Sequence, residues 1–480
     1  MSSKTYYLEL SQESGGSHKF YEVIVENCEL TIKYGRIGTN GQSSTKAFDS
    51  FEKADKEAQK KVKSKKKKGY EDAVKGVRKK RPITRRTIVS HNSTSKKSPI
   101  LWKFQSGADA FGIFVDEDSC WVGNQKGDIF NINHDGDVLN QFRLKDGVKC
   151  IVSDGKWLYA GCDDGCVYDL TGKYPRVAYE VEENIDIYWI DIHDGVLGVS
   201  DEAGNVLITN YEDESINRYK SKGVAGWMIR CDKDRVYHGH SNGVTAYNDW
   251  DDSEHSVTKD SWSYRTAGRV LFGWQEGDTL YAGTLDKKVY AISKEGKLIK
   301  TYDCDASIYS CATSKNGEYI FAGDSYSSIY CFNKEGERLW KLATTCGSAY
   351  SMQYLNEKLY IVTTRGYFTC IDASPEAIER AKEGVVPVAK DIKAPKSITV
   401  KITTTLEITT DSSNGIVLKC IKEGSKLRVR VVSDGFNKDW NVQFPKNLRE
   451  EGALYWVQEL YQSNNGNFYR VYGDIKKLQS

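Results

Sequence analysis

The chain has 480 residues, too many for one ordinary core and enough for two to four domains, or fewer if one of them is a large β architecture. Its 39% hydrophobic content with 12% aromatics supports packed cores, and its wealth of Tyr, Trp, Gly and Val predicts a mainly β fold. No apolar run approaches the ~18 residues that span a bilayer and the N-terminus lacks a signal-peptide core, so an intracellular, cytoplasmic protein is expected, nuclear in a eukaryotic cell.

The net charge of +2 conceals a partition. Residues 1–98 hold 23 Lys and Arg against 11 Asp and Glu, hence +12; residues 99–394 hold 32 against 46, hence −14; residues 395–480 hold 13 against 9, hence +4. A basic head on an acidic body is the asymmetry expected of a polyanion-binding module joined to something else. The 12 cysteines are scattered, as small buried hydrophobes are, and form no compact disulfide framework.

In residues 1–75, apolar–polar alternation at 6–10, 19–25 and 28–34 predicts three antiparallel strands, closed by a fourth at 46–48. Asp49 is placed to cap a helix with Glu52 answering three residues on, and Phe51, Ala54, Ala58 and Val62 form the helix's apolar stripe. Lys56, Lys60, Lys61, Lys63, Lys65, Lys66, Lys67 and Lys68 outnumber the neighbouring acids and make a positive surface of the kind that phosphate backbones neutralise. Such charge confers affinity without sequence preference.

The third strand runs into Tyr34-Gly35-Arg36-Ile37-Gly38-Thr39-Asn40-Gly41-Gln42. Together with Phe48-Asp49-Ser50-Phe51 and the basic helix, this turn resembles the WGR domain best known from DNA-damage-sensing poly(ADP-ribose) polymerases, over about residues 3–75. No polymerase domain is read after it, and Tyr34 stands where the family has Trp. The resemblance implies a small α+β domain in which Tyr34 packs against a sugar or base at a strand break and Arg36 contacts DNA or a partner domain. Gly35, Gly38 and Gly41 would admit close backbone approach, and Gln42 would hydrogen-bond. Tyr offers a smaller stacking face than Trp and a hydroxyl in place of an indole N–H. The expected nucleic-acid-binding set is therefore Tyr34, Gly35, Arg36, Gly38, Gly41, Gln42, Lys61, Lys65, Lys66, Lys67 and Lys68.

Residues 76–98, with Arg78-Lys79-Lys80-Arg81-Pro82 and Arg85-Arg86, read as a flexible basic linker that extends the footprint, addresses a nucleus or only spaces two domains.

The stretch 99–373 is a repeat. Trp121-Val122-Gly123, Tyr159-Ala160-Gly161, Tyr237-His238-Gly239, Tyr281-Ala282-Gly283 and Phe321-Ala322-Gly323 recur, with degenerate copies at Leu197-Gly198-Val199 and Ile361-Val362-Thr363. Third positions lie 38 to 44 residues apart, and seven such copies with several short strands each predict a seven-bladed β-propeller. The fifth copy parses into strands at 269–274, 279–283, 288–293 and 298–303, with turns at Gly277-Asp278 and Glu295-Gly296, and Asn316-Gly317 serves the next copy. The seventh lacks an outer strand, because the chain turns helical at Ser374-Pro375-Glu376, and residues 101–104 are expected to complete it and close the ring.

Because no Trp-Asp dipeptide ends a third strand, the blades resemble quinoprotein-like, pyrroloquinoline-quinone-type repeats more than WD repeats. That resemblance implies the fold alone, without the quinone chemistry. His238 and His240 share a strand face, but no further metal-ligand pattern follows; Cys162 and Cys166 read as buried strand cysteines. No nucleophile elbow, phosphate loop or kinase motif occurs, so a non-enzyme without cofactor or metal is expected. The acidic turns at 162–165 and 248–252 either suit a basic protein partner or are ordinary solvated loops.

Residues 374–396 predict a helix over 375–383 and a Pro-containing linker. Residues 397–480 predict a small β-rich domain with strands at 398–402, 406–410, 416–421, 427–432, 440–444, 454–459 and 468–472. Its Phe436, Trp440, Tyr455, Trp456 and Tyr461 with Arg428, Arg430, Arg449 and Arg470 would form either core or a second nucleic-acid or peptide platform. The whole reads as a non-enzymatic adaptor: residues 1–98 contact DNA or RNA and the propeller recruits a protein. The alternative is a protein-interaction scaffold whose WGR-like module docks another domain.

Overall fold

The computed structural model describes residues 3–11, 18–36, 42–73, 90–181, 186–201, 204–210, 212, 214, 216–224, 226–247, 260–393, 400–401, 406–464 and 466–479. It divides into two compact units, residues 1–87 with 182–185, and the remainder.

In the first unit, β1 (Ser3–Ser11), β2 (His18–Glu26), β3 (Glu29–Arg36) and β4 (Gln42–Ala47) form an antiparallel meander, and β5 (Glu71–Asp72) adds to β1, giving the order β4-β3-β2-β1-β5. The helix α1 (Phe51–Lys66) lays Ala54, Ala58 and Val62 on Leu8, Tyr21, Val23, Val25 and Leu30, with Phe51 half-buried beside them. Its N-cap is Ser50, one residue later than expected: the Ser50 hydroxyl accepts the Lys53 N–H at 3.3 Å, while Asp49 turns to the Lys53 ammonium at 2.6 Å.

The second unit is built almost wholly of strands. Six consecutive meanders of four strands and a seventh of three, completed by residues 100–105, stand as propeller-like blades among the described residues, two of them carrying a fifth strand. Their first strands are Ala110–Val115, Val148–Asp154, Ile187–His193, Met228–Cys231, Val270–Glu276, Ile308–Thr313 and Ala349–Leu355. Each packs on the next, and the seventh on the first, so these strands line a common axis. The repeated glycine is a packing requirement. A Cβ on Gly123 would lie 2.4 Å from Val148 Cγ1, and one on Gly239 2.5 Å from Val270 Cγ1, where the next blade's first strand presses in. The left-handed turns fall where expected, at Gly277 (φ 55°) and Gly296 (φ 80°).

The strand β6 (Ile100–Gln105) pairs antiparallel with Tyr367–Asp372, placing Phe104 opposite Phe368. After α2 (Pro375–Glu383), capped by Ser374, the segment expected as linker contributes Lys390–Lys393 as a parallel strand on β6. Val400–Lys401, expected in the C-terminal domain, pairs instead with Val138–Arg143 of the first blade. The basic linker likewise ends in ordered contacts. Ser90 Oγ meets Ser348 Oγ at 3.0 Å, His91 stacks on Tyr326 at 4.6 Å, and the Ser98 N–H donates to Ala343 O at 2.9 Å.

The C-terminal sheet comprises Ile408–Thr409, Ile416–Glu423, Lys426–Val431, Asn441–Gln443, Leu454–Gln462 and Phe468–Leu478 around a core that includes Leu418, Phe444, Tyr455 and Val457. Two of its arginines serve attachment to the blades, against the reading of a basic platform. Arg470, 1% exposed, reaches Asp154 at 2.6 Å and Asp194 at 3.2 Å, with its guanidinium 3.7 Å from the Trp157 ring. Arg449 pairs with Glu214 at 2.6 Å, and Arg430 is held bidentately by Glu423 at 2.8 Å. Of the aromatics, Tyr455 is core and Tyr461 lies edge-on to Trp157, 5.7 Å between centroids.

Candidate nucleic-acid interface

Strand alternation decides which side chains can act together. Tyr21 on β2 and Tyr34 on β3 are cross-strand partners on the face that carries α1, their ring centroids 6.4 Å apart, and Gln42 sits opposite Tyr34 on β4. Tyr34 is 42% exposed, an unusual position for an aromatic on the helix-covered face. Gly35 falls on the other face, and Arg36 ends β3 opposite Lys19. Gly38 and Gly41 lie outside the described residues.

The last turn of α1 arrives at the same end of the sheet. The Lys65 ammonium lies 4.4 Å from the Tyr21 ring centroid and 5.1 Å from that of Tyr70, whose ring meets Tyr21 edge-on at 6.3 Å. Partial burial lowers the Lys65 pKa, and the like charges of Lys68 and Lys19 lower it further. Burial raises the Tyr21 and Tyr70 hydroxyl pKa values, so both remain neutral donors at ordinary pH. Lys67 and Lys68 are exposed and without an ion-pair partner among the described residues. Lys66 is satisfied by Asp72 at 2.5 Å, and Lys61 lies 3.8 Å from Glu57.

The structure thus brings Tyr34, Gln42, Lys65 and Lys68 to one end of one face, and leaves Lys61 further back along the helix. It adds Tyr21, Tyr70 and Lys19. Tyr21 was legible as an inward position of β2; Tyr70 and Lys19 carry no signal in a linear pattern, because their proximity depends on the helix returning over the sheet. Such a group can stack a base or sugar on a tyrosine face while cations neutralise the adjoining phosphates.

The competing chemical sites are structural. His238 Nε2 meets Ser221 Oγ at 3.0 Å, His240 Nε2 meets Thr245 Oγ1 at 2.9 Å, and burial holds both imidazoles neutral, near 3 and 4. Among the described residues no group of three His, Cys, Asp or Glu is disposed to hold a metal, and Cys162 is a buried free thiol and Cys166 a half-buried one. The acidic turn at 162–165 is turned inward: Asp163 pairs with the buried Lys149 at 3.4 Å, and Asp164 accepts the Tyr168 hydroxyl at 2.7 Å. The turn at 248–252 lies outside the described residues. No helix among them is long and apolar enough to cross a membrane.

Comparison with known proteins follows this division. Residues 4–77 match the WGR domain, and residues 136–168 and 296–333 match the WD domain, G-beta repeat. The repeat match is thus to WD repeats, where the missing Trp-Asp dipeptide had favoured the quinoprotein type. An uncharacterized protein of Escherichia coli (strain K12), YfeS, is 41% identical over 56 residues, which are 12% of this chain and 23% of that protein. The chain therefore spans about a quarter of that relative's length. The WD40 β-propeller domain of Doa1 superposes with a TM-score of 0.50 at 10% identity, covering 58% of this chain and 98% of that one, a likeness of fold.

Proposed function

We propose that this protein is a non-enzymatic adaptor whose N-terminal module binds nucleic acid and whose propeller recruits a protein. The observation that carries the reading is the half-exposed Tyr34 packed on Tyr21, whose ring carries Lys65 with Lys68 near it, a stacking face next to cations without an ion pair among the described residues. The match to the WGR domain supports it. Within this reading the lysines supply sequence-independent affinity through phosphate contacts, and Tyr34 supplies preference for ends or nicks, where a base or sugar is accessible from the side. Gly35, Gly38 and Gly41 admit close backbone approach, Arg36 contacts DNA or a partner domain, and Gln42 hydrogen-bonds. The WD-type blades offer a rigid frame whose loops carry recognition of a protein partner.

The test is binding of the full chain to nicked and intact duplexes of one sequence across a salt series. The expected result is a negative log–log slope with tighter binding to the nicked duplex, and Tyr34→Ala abolishing that preference with the slope intact. Binding indifferent to salt would eliminate the nucleic-acid reading and leave protein docking. Equal loss on both duplexes in Tyr34→Ala would eliminate stacking at a break.

A further inference from the structure

The axis of the blades holds a cavity of about 140 Å³, roughly ten times the ~10–15 Å³ that one water needs. Its wall includes Ile151, Trp189, Arg230, Phe272, Trp274 and Met352. Arg230, on the first strand of the fourth blade, is 8% exposed and sits among aromatic rings, its guanidinium 5.9 Å from Trp189, 5.7 Å from Phe272 and 5.4 Å from Trp274. Two of its nitrogens, Nε and Nη2, donate to a single acceptor, Gly273 O, at 3.0 and 2.7 Å. Nη1 has no acceptor, and no carboxylate lies within ion-pair distance of Arg230, among the described residues.

A permanently charged group nine-tenths removed from water, with most of its donors unused, is costly unless a counter-charge reaches it. The lining contains one carboxylate, Asp191, which accepts the Cys231 N–H at 2.7 Å and is pushed up to about 6 by burial, against the pull of Arg230, so it is an incomplete counter-charge. With most of its N–H groups unused among the described residues, the guanidinium borders the cavity and asks for oxygen acceptors. The guanidinium fork matches an oxoanion's paired oxygens, and aromatic walls strengthen that attraction by excluding water.

We infer that the axial cavity is a binding site for a small oxoanion such as phosphate, held by Arg230. This site is independent of the basic surface of the first unit, which binds anions diffusely through exposed lysines.

The experiment is equilibrium dialysis of the full chain against labelled inorganic phosphate at fixed ionic strength, with sulfate as competitor. The expected result is one saturable phosphate per chain, unchanged in Lys65→Ala/Lys67→Ala/Lys68→Ala and weakened at least tenfold in Arg230→Met. Should Arg230→Met not fold, Arg230→Lys, which keeps the charge and removes the fork, decides by a severalfold weakening. Absence of saturable binding to the unmodified chain, or binding lost with the lysines and kept in the Arg230 variants, overturns the inference.

Discussion

Arg470 offers the sharpest test of how the C-terminal sheet is held to the blades. Its guanidinium, 1% exposed, is shared by Asp154 at 2.6 Å, Asp194 at 3.2 Å, Gln443 Oε1 at 3.2 Å and the Tyr159 hydroxyl at 3.3 Å, above the Trp157 ring. Arg470→Met keeps the stem and removes the charge, stranding two carboxylates. Breaking a buried pair from one side costs about 3–5 kcal/mol. Asp154 keeps the N–H groups of Asp194 and Gly195, at 2.7 and 2.8 Å, which places the expected loss near the lower end, about 3 kcal/mol. An opening equilibrium between sheet and blades should then rise by about a hundredfold, at 1.4 kcal/mol per factor of ten. Hydrogen exchange across Leu454–Gln462 and Phe468–Leu478, with urea unfolding for the global value, measures it. The double variant Arg470→Met/Asp154→Asn should recover part of the loss, since it removes both charges. A loss under ~1 kcal/mol in Arg470→Met, or strict additivity in the double variant, refutes the account.

Three further outcomes are expected. Lys67→Ala/Lys68→Ala, two exposed and unpaired cations, should reduce the salt slope of duplex binding by about 1.8, two phosphate contacts at ~0.9 each, for nicked and intact DNA alike; an unchanged slope places the phosphates elsewhere. Gly239→Ala forces a Cβ to 2.5 Å from Val270 Cγ1 and 2.8 Å from Met228 Cβ, and should cost about 1–3 kcal/mol by thermal unfolding; a cost near zero refutes the packing requirement. The buried His238 has a folded pKa near 3 against 6.5 unfolded, so its stabilising contribution is full above 6.5 and falls away as pH drops toward 3. Chemical denaturation at pH 7 and pH 5 should therefore show His238→Gln gaining about 2 kcal/mol on the unmodified protein, at ~1.4 kcal/mol per pH unit; the rise of Asp163 to about 8 runs the other way and cancels in that comparison.

Periodic features were legible in the chain. Strand alternation in the first unit, the glycine-marked repeat and its hairpin turns all follow from local backbone needs or from a packing contact repeated once per blade, and repetition writes itself into sequence. What escaped depended on partners far away in the chain. Lys390–Lys393 and Val400–Lys401 add to sheet edges through backbone pairing, which composition does not encode. Arg449 and Arg470 look like surface cations until Glu214, Asp154 and Asp194 are seen across from them. At the candidate interface, Tyr34 and the lysine run were visible, while the clustering of Lys19, Lys65 and Lys68 around Tyr21 and Tyr70 came from the return of α1 over the sheet.

The pairing of β6 with Tyr367–Asp372 also sets the order in which this protein can become itself. During synthesis residues 100–105 emerge early and then wait, both edges unpaired, while residues 106–366 are made. The described strands of the first unit are all made by residue 72, whereas the blades lack their final join until the seventh is complete. The nascent chain therefore carries the basic segment ahead of an open ring, which closes only after residue 366 has been made.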